Sequence, residues 1–520
     1  MTHLVRRAGV LTALMAVALM AFALSGTALA KKVKTDQLEH CKGASIKGEG
    51  STFQAPAEKL WTGANAEFPT DGFNVSSSSL ACKGSEPTVA YEQKTSAEKG
   101  SGSCLKNFGA SGATPKVKTF AFCGTDEAPP TSKKEEMETH SKLTPEKGEG
   151  MQSIPVLQGA VAVIVHLPKS CTATSEPKLN KKTEKIGRLS LENTTVDGIY
   201  DGTITTWEQA IAAQKSGVDK ITCTEEEAAK LKDRIHVVVR LDKSGTTHIF
   251  KKFLAQVSPG EFSFEPFFEI NEGSGKEHEK PCGEPAKGAE PKSWESVSEG
   301  CENQRWPAGA EVTRPTESGN PGVVNEVAAK ESSIGYADLA VARELGTFSK
   351  AADEGGEGTS KFWTPISNSK ATTKKPEYAD PATNGDVEAL GDSNCSKTVY
   401  AAAAGEKIPP KTTRLDWSKV RANAVSKTYG ICGITYVLVP RLYWGFEEAE
   451  AEAKSEPVNT ALEEESKKVA TTVSNYLEWV LSGTGGGGGE EVKGHDYEPL
   501  PKKVLKVAEA GAAEIGSKEA

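Results

Sequence analysis

The sequence predicts an α/β fold with largely parallel sheets, and three observations carry that expectation. Ser153–Leu167 (SIPVLQGAVAVIVHL) is a near-continuous apolar run rich in β-branched residues, the composition of a strand buried on both faces. Short strand-like runs repeatedly hand over to amphipathic helical runs through loops of Gly, Ser and Thr. Polar stretches rich in Gly, Pro, Lys and Glu separate these ordered pieces, and such composition buries too little apolar surface to form a core of its own.

Taken in order, Ile46–Phe68 reads as a strand end, a glycine turn and a helix with Leu60, Trp61, Ala64 and Phe68 on one side. Thr119–Cys123 is a short strand entering GTDEAPP. After the long apolar run, Leu191–Gln214 holds two short helical pieces about a turn. The stretch beginning at His236, HVVVRLDKSGTTHIFKKFL, reads as a strand, a turn and a helix whose apolar face carries Ile249, Phe250, Phe253, Leu254 and Val257. Pro321–Lys330 is a helix, Ser333–Ala340 a strand, and Val473–Leu481 a late amphipathic helix. Lys169–Lys185, Gly273–Glu299, Thr347–Asp392 and Gly445–Lys468 read as surface loops or mobile insertions, with EEAEAEAKSEP in the last reading as a solvated helix face, and Gly485–Gly489 as a flexible link.

At 520 residues the chain is long enough for two or three domains. Its 62 Lys and Arg against 71 Asp and Glu give a net charge of −9, so it lacks the basic footprint of a nucleic-acid binder. Any anion it holds must be attracted by local groups. Residues 1–30 have the form of an export signal: Arg6 and Arg7, an apolar region Gly9–Leu24, and a small-residue cleavage site ending Ala28-Leu29-Ala30. Ten cysteines, an even number, suit disulfides in an exported chain. None stands in a C-x-x-C pair, which disfavours zinc, and neighbours such as Cys282 and Cys301 are expected to close a local loop. His166, His236 and His248 lie in or beside apolar runs at irregular spacing and read as packing or surface residues. No G-x-S-x-G elbow accompanies Ser244, so a hydrolase is unsupported.

Three polar loops stand at strand-to-helix junctions. GEGSTFQAP (Gly48–Pro56) puts hydroxyls and backbone N–H groups at a helix start, a position that favours an anion but also suits an ordinary cap. CGTDEAPP (Cys123–Pro130) follows a strand with Asp126. In RLDKSGTT (Arg240–Thr247), Arg240 and Asp242 share one face of an extended segment, so the carboxylate can orient the guanidinium.

In their order and content, the three loops resemble the periplasmic phosphate-binding protein of the high-affinity phosphate ABC transporter, in which GAGSTFPAP, GASDAP and RxDGSGTT occur. The resemblance continues through SIPVLQGAVAVIVHLP, TTVDGIYDGTITTWEQAI, SGNPGVVNEVAAKESSIGYADLA and YEPLPKKVLKVAE. It implies a two-lobed clamshell of the type II binding-protein kind with long surface insertions. Lobe one would take 44–154, lobe two 155–345, and 346–520 an insertion and the return to lobe one. It also implies that Thr52, Phe53, Ser85 and Asp126 bind inorganic phosphate from lobe one and Arg240, Ser244, Gly245 and Thr246 from lobe two, with Asp242 orienting Arg240. Glu127 stands between Asp126 and Ala128 where the family has no residue, and Lys243 replaces the usual glycine before Ser244.

The implied protein is an exported, periplasmic or extracellular monomer that needs no cofactor or metal and delivers phosphate to membrane-embedded ABC permease subunits. Asp126 is the informative residue: a carboxylate beside an oxyanion repels it unless the ligand supplies a proton between them, which phosphate can do at neutral pH and sulfate cannot. The competing expectations are a carrier of another tetrahedral oxyanion such as sulfate or molybdate, a secreted phosphate-ester hydrolase, and a surface protein on the same scaffold.

Overall fold

The protein is described here by a computed structural model covering residues 43–516 apart from 64–71, 75–86, 93–99, 111–112, 114, 117–118, 146–148, 180–181, 265–267, 271–276, 282–289, 349–357, 368–375, 383–392, 396–397, 399, 402–408, 425–427 and 484–487. The expected export signal, Ser85 and Cys282 lie outside the described residues.

Everything is organised on one long strand. Among the described residues the main sheet has nine strands: β1 (Ile46–Gly50), β2 (Val89–Glu92), β3 (Phe122–Thr125), β4 (Met151–His166), β5 (His236–Val237), β6 (Ser333–Asp338), β7 (Lys361–Thr364), β8 (Cys432–Pro440) and β9 (Tyr497–Glu498). The order is β2-β1-β3-β8-β4-β6-β5, with β7 and β9 also paired to β4. All of β4 is buried, as its nearly continuous apolar composition leads one to expect. Its first part pairs with β8 and β9 as far as Ala160, and its second part pairs with β6 and β7 from Val161 onward. One strand therefore serves two sheet halves in turn, which makes the fold two-lobed.

The sheet is mixed. Parallel pairs join β1 to β2 and β3, and β6 to β5, whereas β4 runs antiparallel to all its partners. Register shifts between Thr435 and Tyr436 of β8, opposite Pro155. A proline cannot donate to the ladder, so an irregularity is the expected accommodation.

Four helices bear on the space between the lobes: α1 (Ala55–Thr62), α2 (Ser101–Asn107), α3 (Gly245–Val257) and α4 (Gly319–Ala329). Ser244 caps α3 by accepting from the Thr247 N–H at 3.2 Å. Phe250 of α3 stacks on Tyr336 of β6 with ring centroids 4.4 Å apart, and Tyr200 closes on its edge at 4.7 Å. These contacts fix α3, and so the loop before it, against the second sheet half.

The stretches expected to be loops are more structured than their composition suggests. Within Lys169–Lys185, Cys171–Ser175 pairs antiparallel with Asp219–Cys223 and is joined to it by the Cys171–Cys223 disulfide. Gly445–Lys468 forms a helix, Gly445–Lys454, and the start of a second, Thr460–Leu481, so the expected helix at Val473 is only its last part. Runs of Glu, Ala and Lys are good helix formers, and charge alone does not make a loop. In Thr347–Asp392, Lys361–Thr364 joins β4 and buries Phe362 and Trp363. Within Gly273–Glu299, Glu290–Ser293 pairs with Glu261–Phe264, and Trp294 is buried against Phe262 and Phe264.

Two further disulfides, Cys104–Cys123 and Cys395–Cys432, are present among the described residues. The expected Cys282–Cys301 loop lies partly outside them. No helix among the described residues is long and apolar enough to cross a membrane.

Candidate functional site

The polar loops that follow β1, β3 and β5 all leave the carboxyl ends of their strands, where open α/β sheets place ligands. The first two belong to one lobe and the third to the other. The fold brings them face to face.

On the lobe-two side, Arg240 is buried and gripped by Asp242: its Nε donates to Oδ1 at 2.7 Å, and Nη2 donates to Oδ2. Asp242 is itself held by the Gly319 N–H at 3.0 Å. The remaining nitrogen, Nη1, donates to the Thr246 hydroxyl at 3.2 Å and to Asn320 Oδ1 at 3.3 Å. A bidentate carboxylate fixes the plane of the guanidinium and neutralises its charge locally. Asn320 also reaches the other lobe, where its backbone N–H and Nδ2 donate to the Thr52 hydroxyl at 3.1 and 3.3 Å. Gly319, at φ 87°, lets this approach happen, because a Cβ there would lie 2.8 Å from Thr52 Cγ2.

On the lobe-one side, the Ser51 hydroxyl donates to Asp126 Oδ1 at 2.5 Å while accepting from the Phe53 and Gln54 N–H groups at 3.0 and 3.2 Å. The Asp126 N–H donates to the Ser101 hydroxyl at 3.1 Å. Asp126 is 3 % exposed, and burial pushes its pKa up to about 6, with the Ser51 and Thr435 hydroxyls and then Arg240 pulling the other way. It is therefore mostly a carboxylate at neutral pH. Gly245 faces it so closely that a Cβ would lie 2.5 Å from Asp126 Cβ, so a glycine at the first position of α3 is a requirement of packing. The first-turn N–H groups of α3 have no carbonyl partners within the helix, and that of Thr247 is taken up by the Ser244 cap.

Seven of the nine residues expected at the site converge there: Thr52, Asp126, Arg240, Asp242, Ser244, Gly245 and Thr246. Two of these differ in detail from a simple donor list. The Ser244 hydroxyl is engaged in capping α3, and the Thr52 hydroxyl accepts from Asn320. Of the other two, the Phe53 side chain points into the lobe-one core, 6.0 Å from the Tyr497 ring, while its carbonyl accepts from the Tyr497 hydroxyl at 2.5 Å. Ser85 lies outside the described residues.

Sequence reasoning missed Ser101 and Asn320. Ser101 sits between Gly100 and Gly102 at the start of α2, the same glycine-flanked hydroxyl pattern as the first loop, so a signal was present. Asn320 lay inside a quoted motif, but nothing local marks it as a bridge between lobes. Glu127 turns away from Asp126 and toward lobe two, so Asp126 is the acid that faces the cleft.

A family model described as a PBP superfamily domain matches residues 35–439. The phosphate-binding protein PstS 3 of Mycobacterium leprae (strain TN) is 28% identical over 188 residues, which is 35% of this chain and 40% of that protein, well short of two thirds of the relative's length. The crystal structure of the ancestral soluble variant of the human phosphate binding protein has a similar fold, with a TM-score of 0.50 and 15% identity over 90% of this chain and 93% of that one. A phosphate binding protein from Stenotrophomonas maltophilia gives a TM-score of 0.46 at 16% identity, covering 90% and 93% of the two chains. A match over most of the chain, joined to two sheet halves that share a strand and enclose a polar cleft, leaves one assignment: this chain belongs to the PBP superfamily.

Proposed function

We propose that the cleft captures inorganic phosphate and that the protein, exported to the periplasm or the cell exterior as a monomer, delivers it to the permease subunits of an ABC transporter. The observation that carries this reading is Asp126, a buried carboxyl packed between the lobes against Gly245 at the start of α3, with Arg240 near enough to act on it. An oxyanion placed there meets amide and hydroxyl donors, one guanidinium already neutralised by Asp242, and one acceptor that tolerates only a ligand carrying a proton. Thr52, Ser101, Ser244, Gly245 and Thr246 contribute from the loops around it. No covalent step is required.

The lobes meet in β4, and the change of partners at Ala160–Val161 supports a hinge within that strand. On that reading lobe one takes 44–160 with the C-terminal return, a few residues beyond the expected 154, and lobe two takes 161–345 together with β7. Calorimetric titration with phosphate, sulfate and molybdate tests the reading. Phosphate is expected to bind best, and Asp126→Asn to lower the phosphate-over-sulfate ratio by about 10–100-fold, the worth of about 1.5–3 kcal/mol for a charge-assisted hydrogen bond. An unchanged ratio removes Asp126 from this role, and tighter binding of sulfate or molybdate by the native protein replaces phosphate as the ligand.

A further inference from the structure

Glu127 has no role in the ligand site just described, yet it is only 6 % exposed. Its own turn is pinned, because the Thr125 hydroxyl donates to the Glu127 carbonyl at 2.8 Å. The carboxylate reaches across to lobe two, where Oε1 accepts from the Gly300 N–H at 2.8 Å and Oε2 lies 3.4 Å from Asn303 Nδ2.

The segment that receives it, 293–306, is a firmly held piece of lobe two. Lys251 of α3 donates to the carbonyls of Val297 at 3.2 Å, Asn303 at 2.9 Å and Arg305, and lies 4.4 Å over the Trp306 ring. Lys252 pairs with Glu295 and Glu299 at 2.7 and 3.0 Å. Asn303 also braces the cap of α3, its Nδ2 donating to the Ser244 carbonyl at 2.9 Å and its Oδ1 accepting from the Ser244 N–H at 3.4 Å. One asparagine thus holds both the start of the anion-facing helix and the lobe-one acid.

We infer that Glu127 is a positioning residue that latches lobe one onto the 293–306 segment and thereby sets how long a bound oxyanion stays in the closed cleft. The inference deepens the phosphate-capture reading and rests on it for its ligand. Separating the lobes must break the bonds to Gly300 and Asn303, whereas approach of the ligand to the open cleft does not involve them. The effect therefore falls on the off-rate.

The latch also carries a proton linkage. Besides its neighbour Asp126, the charged groups around Glu127 are Glu299 on the receiving segment, Lys252 on α3 and Lys243 before it. Burial pushes its pKa up to about 7, the Gly300 N–H opposes that shift, Glu299 adds to it, and Lys252 and Lys243 oppose it. The part of that rise that closure causes makes closing take up a proton, and the corresponding help to closure is lost as pH rises through about 7.

Stopped-flow fluorescence of the full chain with inorganic phosphate separates the two rates. Glu127→Ala is expected to raise the off-rate about tenfold and to leave the on-rate within about twofold. Glu127→Gln keeps an acceptor for Gly300, and the native off-rate is expected to rise relative to that variant between pH 6 and pH 8. An unchanged off-rate in Glu127→Ala, or on- and off-rates altered in proportion, overturns the latch, with thermal unfolding confirming that the variant is folded. Should the native protein bind no phosphate, the functional reading fails separately. The latch is then judged by spin-label distances between the ligand-free lobes: longer or broader in Glu127→Ala supports it, and identical distributions overturn it.

Discussion

The two walls of the cleft handle charge in opposite ways. Lobe two cancels its charge within two residues, with Asp242 clasping Arg240 from both ends and Gly319 holding Asp242 in turn. Lobe one buries acids with hydroxyls and amides as partners: Asp126 beside Ser51, and behind it Glu58, which accepts from Tyr476 and from Gln54 at 2.6 Å each. A clasped guanidinium remains charged and fixed at any ordinary pH, so it can hold an anion without reorganising. A buried acid without such a partner is sensitive to protonation, so under the proposed function it would discriminate among anions by whether they bring a proton. Attraction and selection would then fall to different lobes.

The largest expected effect comes from breaking the clasp. Arg240→Ala leaves Asp242 buried with its ionic partner gone, which typically costs about 3–5 kcal/mol of stability. Thermal unfolding should show a marked drop, and calorimetry should show phosphate binding abolished. If the variant keeps its stability, Asp242 is neutralised by some other route and the contrast between the walls collapses.

A smaller effect is expected from Asn320→Ala, which removes donors to Thr52 and Thr246 and an acceptor for Arg240. This residue ties the walls together, so phosphate affinity should fall about tenfold, in line with the ~1–3 kcal/mol cost of leaving buried polar groups unpaired. Affinity equal to the native protein's, measured calorimetrically, would mean that Arg240 and Thr246 keep their geometry without the bridge.

The last effect is spread over pH and concerns lobe one alone. Burial raises the Glu58 pKa to about 7, against the opposing pull of the hydrogen bonds from Tyr476 and Gln54. A carboxyl raised in the folded state favours folding below its ordinary value near 4.5, and that favour is lost as pH rises through about 7. Between pH 5 and pH 7.5 the unfolding midpoint of the native protein should therefore decline relative to that of Glu58→Gln. Parallel midpoints across this range would show that Glu58 stays ionised when buried.

The local geometry of the three loops was legible from residues alone, whereas their grouping into one ligand site came from the family resemblance. A strand end followed by Gly, Ser and Thr specifies a turn and a helix cap through contacts a few residues apart, and Ser244 shows the expected bond to Thr247. The Arg240–Asp242 spacing places both side chains on one face of an extended segment, and they do clasp. The near-continuous apolar composition of Ser153–Leu167 likewise announced a strand buried on both faces. The charged stretches were misread because composition reports how much a segment can bury but not what it can lean on. Lys361–Thr364 becomes a strand by pairing with β4, and Trp294 is buried by packing on Phe262 and Phe264.

What the sequence determined by itself, then, is the alternation of strands and capped helices, the long buried strand, and the residue types at three loop ends, all of which depend on neighbours along the chain. The tertiary structure decided which of those loops meet. It also decided that Asp126 and Glu127, adjacent in sequence, face different ways, and that Asn320 and Ser101 join the site. The reason is physical: a side chain's partners across a cleft are set by the packing of whole sheets and helices, and no short-range pattern carries that information.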